Sequence, residues 1–323
     1  MKTTYDYIIV GAGTAGCVLA NRLSESGQYS VLLLEAGGKD NYFWINIPVG
    51  YLYTINNPRT DWCFNTEAEA GLNGRSLAYA RGKVLGGSSS INAMIYMRGQ
   101  RSDYDHWASL GNRGWSWEEV LPVFKRSESY QHGANDFHGA SGEMRVEERR
   151  VNWEILDAWR EAAAENGIPK IEEFNRGDNF GNAYFQMNQK GGKRWSAAHA
   201  FLNPAKTRQN LDIVTHAQVH HLNYAEGSDT RVSGVAVSVK GGPSQNVSAH
   251  REVILAAGAI ASPQLLQASG IGERSQLETL GIKTRHHLPG VGENLQDHLQ
   301  IRTIYKVNNT VTLNQLANSM IGK

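Results

Sequence analysis

The sequence predicts an α/β fold built around a doubly wound parallel sheet, and the order of its apolar runs carries this prediction. Residues 5–10 form a short apolar run followed at once by glycine, and residues 30–34 form a second run that ends at Glu35. Between them, residues 17–23 have the apolar spacing of a helix. A strand, a glycine turn, a helix and a second strand in this order are typical of a parallel sheet. Residues 253–257 resemble another buried strand ending at glycine, so we expect them to join the same sheet.

The composition argues against several classes of protein, among them nucleic-acid-binding, zinc-binding and membrane-spanning proteins. The 323 residues suggest about two domains, and a net charge of +1 without a basic block argues against nucleic-acid binding. The two cysteines, Cys17 and Cys63, are too few for a structural zinc site or a disulfide framework, which favours a reducing compartment and predicts no metal site. The sequence contains no apolar run of about 18 residues and no secretory signal. We therefore expect a cytoplasmic protein, with peripheral membrane contact left open.

A glycine motif lies between the first predicted strand and the predicted helix. Gly11, Gly13 and Gly16 have the G-x-G-x-x-G spacing, which lets the backbone approach a pyrophosphate while the helix N-terminus supplies amide donors. Glu35 follows about 20 residues later, where an acidic side chain accepts from ribose hydroxyls. The motif predicts dinucleotide binding rather than a tight turn kept for packing, and both NAD and FAD stay open. Cys17, in the first helical turn, is interpreted as an inert core thiol rather than an activated one.

A second glycine-rich segment, residues 80–99, bears on the choice between NAD and FAD. Its Gly86-Gly87-Ser88-Ser89 run offers unhindered amides and hydroxyls to a second face of a diphosphate. At this segment the sequence resembles the glucose–methanol–choline (GMC) oxidoreductases, a family of FAD-dependent alcohol oxidoreductases. The resemblance recurs in family order at residues 258–272 and 288–298 and favours choline-dehydrogenase-like and aliphatic-alcohol-dehydrogenase-like members. Because three motifs occur in family order, the sequence favours FAD over NAD and argues against a nicotinamide dehydrogenase.

The resemblance implies a domain organisation. Residues 1–130 and 191–300 are expected to form a discontinuous FAD-binding domain, a Rossmann-like doubly wound sheet. A β-meander is expected to be inserted in it, from three strand-like runs over residues 211–222, 232–239 and 247–257. Residues 131–190 and 301–323 are expected to belong to an α+β substrate domain that is present only in part.

The resemblance also implies roles for individual residues. Residues 82–89 are expected to wrap the FAD pyrophosphate, Asn92, Ala93 and Ile95 to face the isoalloxazine, and the backbone of Val219 to meet the adenine. The motifs and the resemblance together predict the following cofactor-binding residues: Gly11, Gly13, Thr14, Ala15, Gly16, Glu35, Ala36, Gly82, Leu85, Gly86, Gly87, Ser88, Asn92, Ala93, Ile95, Val219 and Ala257.

The position before Asn92 bears on how the flavin is attached. Family members that tether FAD covalently at this motif carry a histidine there, whereas this sequence has Ile91. Isoleucine cannot form that bond. We therefore expect FAD to be bound non-covalently.

No catalytic residue is assigned. Alcohol oxidation by a flavin needs a group that takes the hydroxyl proton, and histidine suits that task. The resemblance places the catalytic histidine, with its His or Asn partner, in a segment beyond Lys323, so we expect a truncated family member. Among the histidines that are present, His298 is interpreted as structural, and His199 stands where close relatives often carry arginine.

The sequence thus predicts oxidation of choline or a primary aliphatic alcohol to the aldehyde, with hydride transfer to flavin N5. Electrons would then pass to a quinone, another acceptor or oxygen. Two alternatives stay open: a non-catalytic FAD-binding fragment, and a hydroxynitrile-lyase-like enzyme that keeps FAD without net oxidation. The particular alcohol and the oligomeric state are not predicted.

Overall fold

The computed structural model describes residues 1–317 and divides the chain into two compact units. Unit 1 comprises Met1–Met94 and Gly191–Gln296, and unit 2 comprises Ile95–Lys190 and Asp297–Lys323. The expected first domain extended to residue 130, so residues 95–130 fall in unit 2 rather than unit 1. The assignment of unit 1 to FAD and of unit 2 to substrate stays a prediction.

Unit 1 is built on one six-stranded sheet. Its strands are β1 (Thr4–Val10), β2 (Val31–Glu35), β3 (Leu211–Thr215), β4 (Ala217–Tyr224), β5 (Val232–Val239) and β6 (Gln245–Leu255). They lie in the order β3-β2-β1-β6-β5-β4. The first four in this order are parallel, and β5 runs antiparallel to β6 and β4. Because Val10 pairs with both Leu34 and Leu255, the carboxyl ends of β1, β2 and β6 meet at one edge.

The sheet carries helices on both faces, as the doubly wound fold class predicts. Successive side chains on a strand point to opposite faces. Leu32 and Leu34 share a buried core with Leu265 of helix α2 (Gly258–Ala268). On the other face, a methyl group added at Gly16 of helix α1 (Thr14–Ser24) would lie 3.5 Å from Leu33.

The expected meander is present, but its first run is divided. The single strand expected over residues 211–222 is two strands, β3 and β4, which lie at opposite edges of the sheet. The break falls at His216, which has a positive φ of 55°. A left-handed residue interrupts the extended chain, so β4, β5 and β6 form the meander while β3 extends the parallel part.

Unit 1 also contains short elements around the sheet. These are helices Phe43–Asn46, Pro48–Gly50, Tyr51–Thr54, Ala70–Leu72, Gly87–Ser90, Ala198–Leu202, Asn203–Ala205 and Arg274–Thr279, and strands Phe64–Asn65, Ala78–Tyr79, Lys193–Arg194, Ile271–Gly272 and His286–His287.

Unit 2 has longer helices and only short strands. Its helices are Arg101–Ser109, Trp117–Ser127, Glu154–Glu165 and Leu313–Ala317, and its strands are Ile95–Tyr96, Glu128–Tyr130, Met144–Val146, Gln186–Met187 and Gln189–Lys190. Helix Trp117–Ser127 begins with a capping box, in which the carboxylate of Glu119 accepts the Ser116 N–H at 3.1 Å. This start is readable from the sequence because it depends on residues three positions apart.

Candidate dinucleotide-binding cleft

A cleft of about 870 Å³ opens in unit 1 at the carboxyl ends of β1, β2 and β6. Its walls come from the turn after β1, the end of β2, residues 81–82 and 87–88, the start of β4 and helix α2. Ligands of open α/β sheets bind at this end of the strands. The cleft is therefore the candidate functional site of unit 1.

The first glycine loop is shaped by close backbone contacts. A Cβ at Gly11, whose φ is +99°, would lie 2.6 Å from the Ala256 oxygen, and one at Gly16 would lie 1.9 Å from the Gly11 oxygen. At Gly13, by contrast, a Cβ would meet only the Ala256 oxygen, at 3.9 Å. Gly11 and Gly16 thus let the loop fold, whereas Gly13 leaves room in front of helix α1. The first-turn amides of that helix have no intrahelical acceptors and are available to an anion.

The second glycine loop lies directly against the first. The Gly86 N–H donates to the Ala12 oxygen at 2.8 Å, and a Cβ at Gly87 would lie 2.7 Å from the Gly13 Cα. Ser88 is exposed on the cleft side, and its hydroxyl accepts the Gly82 N–H at 3.1 Å. The two loops therefore meet, and amides and hydroxyls from both line the cleft.

Glu35 ends β2 beneath these loops. One carboxylate oxygen accepts the Ala12 N–H at 2.9 Å and the other accepts the Gly37 N–H at 2.8 Å. Burial raises the pKa of Glu35 to about 7, even though both hydrogen bonds and the charge of Lys83 act to lower it. Each oxygen keeps a second lone pair for a donor in the cleft.

The structure brings most of the predicted cofactor-binding residues to the cleft and leaves some away from its lining. The predicted residues that line it are Gly11, Gly13, Thr14, Ala15, Glu35, Ala36, Gly82, Gly87, Ser88, Val219 and Ala257. Gly16, Leu85 and Gly86 do not line it, and the close contacts of Gly16 and Gly86 support the loops from behind. Asn92 and Ala93 are exposed beyond the 3₁₀-helix Gly87–Ser90. Ile95 lies in unit 2 and is 43% exposed.

One wall of the cleft is aromatic, and sequence reasoning did not predict the part of Phe64 in it. Trp62 and Phe64 line it with Arg81, and their rings stack at a centroid distance of 5.7 Å. Residue spacing does not predict this pair, because Cys63 between the two rings has a positive φ of 55° and interrupts the alternation of a strand. Gln218 and His220 of β4 also line the cleft.

The cysteine and histidine candidates of unit 1 have ordinary structural partners. The Cys17 thiol is buried and donates to the Ala12 oxygen, and burial raises its pKa to about 12. This supports the inert interpretation. His220 Nε2 lies 2.8 Å from the Ser238 hydroxyl, and His199 Nδ1 lies 3.0 Å from the Ser196 hydroxyl.

Within residues 1–317, no group of three or more His, Cys, Asp or Glu side chains could hold a metal ion. Within the same residues, every helix is too short or too polar to cross a membrane.

Known proteins are similar to this chain over most of its length. Residues 5–300 match the family of GMC oxidoreductases. The chain is 44% identical over 317 residues to an oxygen-dependent choline dehydrogenase of Photobacterium profundum, covering 97% of this chain and 55% of the relative. It is 45% identical over 307 residues to the mitochondrial choline dehydrogenase of Homo sapiens, covering 93% and 51%. The solved structure of pyridoxine 4-oxidase from Mesorbium loti has a TM-score of 0.83 and 37% identity, covering 88% and 55%.

The parallel sheet and the paired glycine loops define a Rossmann-type dinucleotide-binding protein. The match over residues 5–300 is more specific, and the chain belongs to the GMC oxidoreductase family. It spans about half the length of the curated relatives it matches.

Proposed function

We propose that this chain binds FAD in the cleft of unit 1 and forms the cofactor-binding part of an enzyme that oxidises choline or a primary aliphatic alcohol to the aldehyde. The observation that carries the proposal is the meeting of two glycine loops at the carboxyl ends of β1, β2 and β6. Membership of the GMC oxidoreductase family supports FAD as the dinucleotide.

The residues of the cleft fit FAD. The open space in front of Gly13 admits a diphosphate to the first-turn amides of α1, where a Cβ would intrude. Glu35 would accept from the ribose hydroxyls, and the backbone of Val219 would meet the adenine. The adenosine half then lies toward β2 and β4, so the flavin end extends past Ser88 toward Asn92 and Ala93.

The described residues bind and orient the cofactor, which when bound supplies the acceptor for a hydride from the alcohol carbon. His220 is the one histidine of residues 1–317 that lines the cleft, and it lies on β4, at the proposed adenosine end. A base there is far along the cofactor from the flavin end. We therefore assign no proton acceptor to this chain and expect the 323 residues alone to bind FAD without turning over an alcohol.

FAD is proposed to be bound non-covalently. Ile91 is 2% exposed and packs in a buried cluster with Ile45 and Val84. Its side chain offers no nitrogen, oxygen or sulfur for a bond to the flavin. Acid precipitation of the holoprotein should release all of the flavin into the supernatant.

The names of the relatives guide the choice of substrate and acceptor. The Photobacterium profundum relative is named an oxygen-dependent choline dehydrogenase, so choline and oxygen are the first substrate and acceptor to test. A quinone or another acceptor is the second choice. A cytoplasmic location, with peripheral membrane contact, belongs to the same proposal and is tested by fractionating cells that express the protein.

An anaerobic visible spectrum of the purified chain, reconstituted with FAD, tests this function. We expect a bound oxidised-flavin spectrum that choline and a panel of primary alcohols leave unchanged. Bleaching by an alcohol would show that the chain holds its own proton acceptor and would name the substrate. Absence of any flavin binding, in a chain that is folded by circular dichroism, would overturn the proposal.

A further inference from the structure

Arg194 is a buried cation with no carboxylate partner among the described residues. Arg194 is 1% exposed. Its Nε donates to the Ile45 oxygen at 2.8 Å, and its Nη1 donates to the Ser89 oxygen at 3.1 Å and to the Asn92 Oδ1 at 2.9 Å. Its Nη2 is buried without an acceptor. Burial alone lowers the pKa of Arg194 to about 10, so the group stays charged at neutral pH.

Arg194 fixes the orientation of the Asn92 side chain. Asn92 Oδ1 accepts from both Arg194 Nη1 and the Met94 N–H, the latter at 3.0 Å. A flipped amide would point its own N–H groups at these two donors, so the oxygen faces inward. The Nδ2 group of Asn92 then faces outward from an exposed residue as a free pair of donors.

The buried, unpaired charge of Arg194 and the backbone conformation of Met94 are both energetically unfavourable. Burying a charge without a counter-charge is unfavourable, and a buried guanidinium N–H without an acceptor adds to the penalty. Met94 also adopts a positive φ of 62°, which is strained for a residue with a long side chain. Such strain and unpaired charge concentrate at functional sites.

If FAD lies as proposed above, the charge of Arg194 is close enough to the flavin end to affect it. Asn92 follows the 3₁₀-helix Gly87–Ser90, whose first residues face the diphosphate part of the cleft. The flavin end of the cofactor therefore approaches Asn92, and Arg194 stands directly behind it. A flavin that has accepted a hydride carries one more negative charge than the oxidised form, and an unneutralised cation favours that form.

We propose that Arg194 is a positioning residue for the flavin end of the site: it holds Asn92 with its Nδ2 donors facing the cofactor, and its unpaired charge stabilises the reduced flavin. The inference has two parts, one about the loop in the absence of cofactor and one about the relative affinity for the two redox states. Only the second depends on the proposed function.

Hydrogen exchange of the cofactor-free chain tests the first part. We expect amides of residues 89–94 to exchange at least tenfold faster in Arg194→Met, while Asn92→Asp, which keeps the accepting oxygen and gives the cation a partner, exchanges like the wild type. Arg208→Met is the matched control, because Arg208 contacts Asn21 and Ser24 at the end of α1. If residues 89–94 exchange alike in the wild type and Arg194→Met, the positioning role is wrong, whether or not the chain binds FAD.

Anaerobic titration of the holoprotein tests the second part. We expect Arg194→Met to weaken binding of reduced FAD about tenfold more than binding of oxidised FAD, which lowers the midpoint potential by about 30 mV for a two-electron couple. Arg194→Lys should restore most of this difference because it keeps the charge. A purely structural arginine would weaken both redox states equally and leave the potential unchanged, and that result would overturn the electrostatic role.

Asn92→Asp keeps the test decisive if Arg194→Met does not fold. The added carboxylate neutralises Arg194 without disturbing its contacts, so we expect an ordered loop and a lowered flavin potential together. An unchanged potential in Asn92→Asp would refute the second part. A folded wild-type chain that binds no FAD would overturn the proposed function and the second part with it, whereas the exchange data would still decide the first.

Discussion

Two sets of buried groups, one in each unit, differ in their partners. Beside the cleft of unit 1, the first-turn amides of α1 have no intrahelical partners, and Arg194 is buried with an Nη2 that has no acceptor in the described chain. In unit 2, by contrast, Arg98, Glu128, His138 and Glu173 are buried and pair with one another. Since an unpaired buried polar group costs free energy, the first arrangement is typical of a site and the second of a scaffold.

The paired groups of unit 2 form a cluster of Arg98, Glu128, His138 and Glu173, which we call the ion cluster. His138 Nδ1 donates to Glu128 at 3.0 Å and its Nε2 donates to Glu173 at 2.7 Å, while Arg98 donates to Glu128 at 3.0 Å. Burial alone would lower the pKa of His138, but its hydrogen bonds to the two carboxylates raise it. Arg176 Nε also donates to Glu173 at 3.0 Å, so each of the two buried carboxylates is balanced by His138 and one arginine.

The largest effect is expected when this balance is broken. Glu128→Gln leaves Arg98 buried without its anion, which should lower the free energy of unfolding of the chain by about 3 kcal/mol. The same substitution at Glu118, whose ion pair with Arg101 is exposed, should change it by less than about 0.5 kcal/mol. Urea unfolding at pH 7 measures both, and equal effects at the two positions would show that the ion cluster is not a scaffold.

The next largest effect concerns the cleft and should leave stability unchanged. Gly13→Ala adds a methyl group to a position with a φ of −71° and open space, so the chain should fold normally. The methyl group would keep the diphosphate away from the amides of α1 and weaken FAD binding about 100-fold, or ~2.7 kcal/mol.

Fluorescence titration with FAD measures the effect of Gly13→Ala. Gly71→Ala is the control, because Gly71 also has open space but lies outside the cleft lining. Equal FAD affinity in the wild type and Gly13→Ala would place the diphosphate elsewhere.

Parts of the cleft differ in how far the sequence could predict them. The glycine loop and Glu35 are contained in one continuous unit, so residue spacing alone located them, and the capping box at Ser116 was readable for the same reason. The predicted cofactor-binding positions within residues 82–88, and Val219, needed the resemblance to a family. That resemblance extends over most of the chain because its three motifs are spread along the sequence in family order.

The remaining features depend on contacts that spacing does not encode. Arg194 and Asn92 are 102 positions apart in sequence, and nothing around Arg194 marks it as a buried cation. The break at His216 is equally hidden, because the residues on both sides have ordinary strand character. Tertiary packing decides both features, and a single sequence carries no signal for packing between distant segments.

A smaller effect should appear in the pH dependence of cofactor binding. The pKa of Glu35 is raised to about 7 in the folded chain, and ribose hydroxyls donate best to its ionised form. FAD affinity should therefore fall about tenfold from pH 8 to pH 6 as Glu35 takes up a proton.

The same shift has a consequence for stability without cofactor. A raised pKa makes the stabilising contribution of Glu35 complete below its unfolded value near 4.5, and that contribution is lost as pH rises through about 7. Glu35→Gln should remove both pH dependences at once. If the FAD affinity of the wild type does not change from pH 6 to pH 8, Glu35 does not accept hydrogen bonds from the ribose hydroxyls.

The smallest effect is expected at Cys17, which lies in the first turn of α1 but points away from the cleft lining. Its thiol is 0% exposed and has a pKa raised to about 12, whereas Cys63 is half-buried. Iodoacetamide at pH 8 should therefore label Cys63 alone in the folded chain, as mass spectrometry of the labelled peptides would show. Cys17→Ala should leave FAD affinity unchanged and cost at most about 1 kcal/mol of stability. Rapid labelling of Cys17, or a loss of FAD binding in Cys17→Ala, would instead mean that this thiol faces the anion site and that the partnerless groups there include a nucleophile.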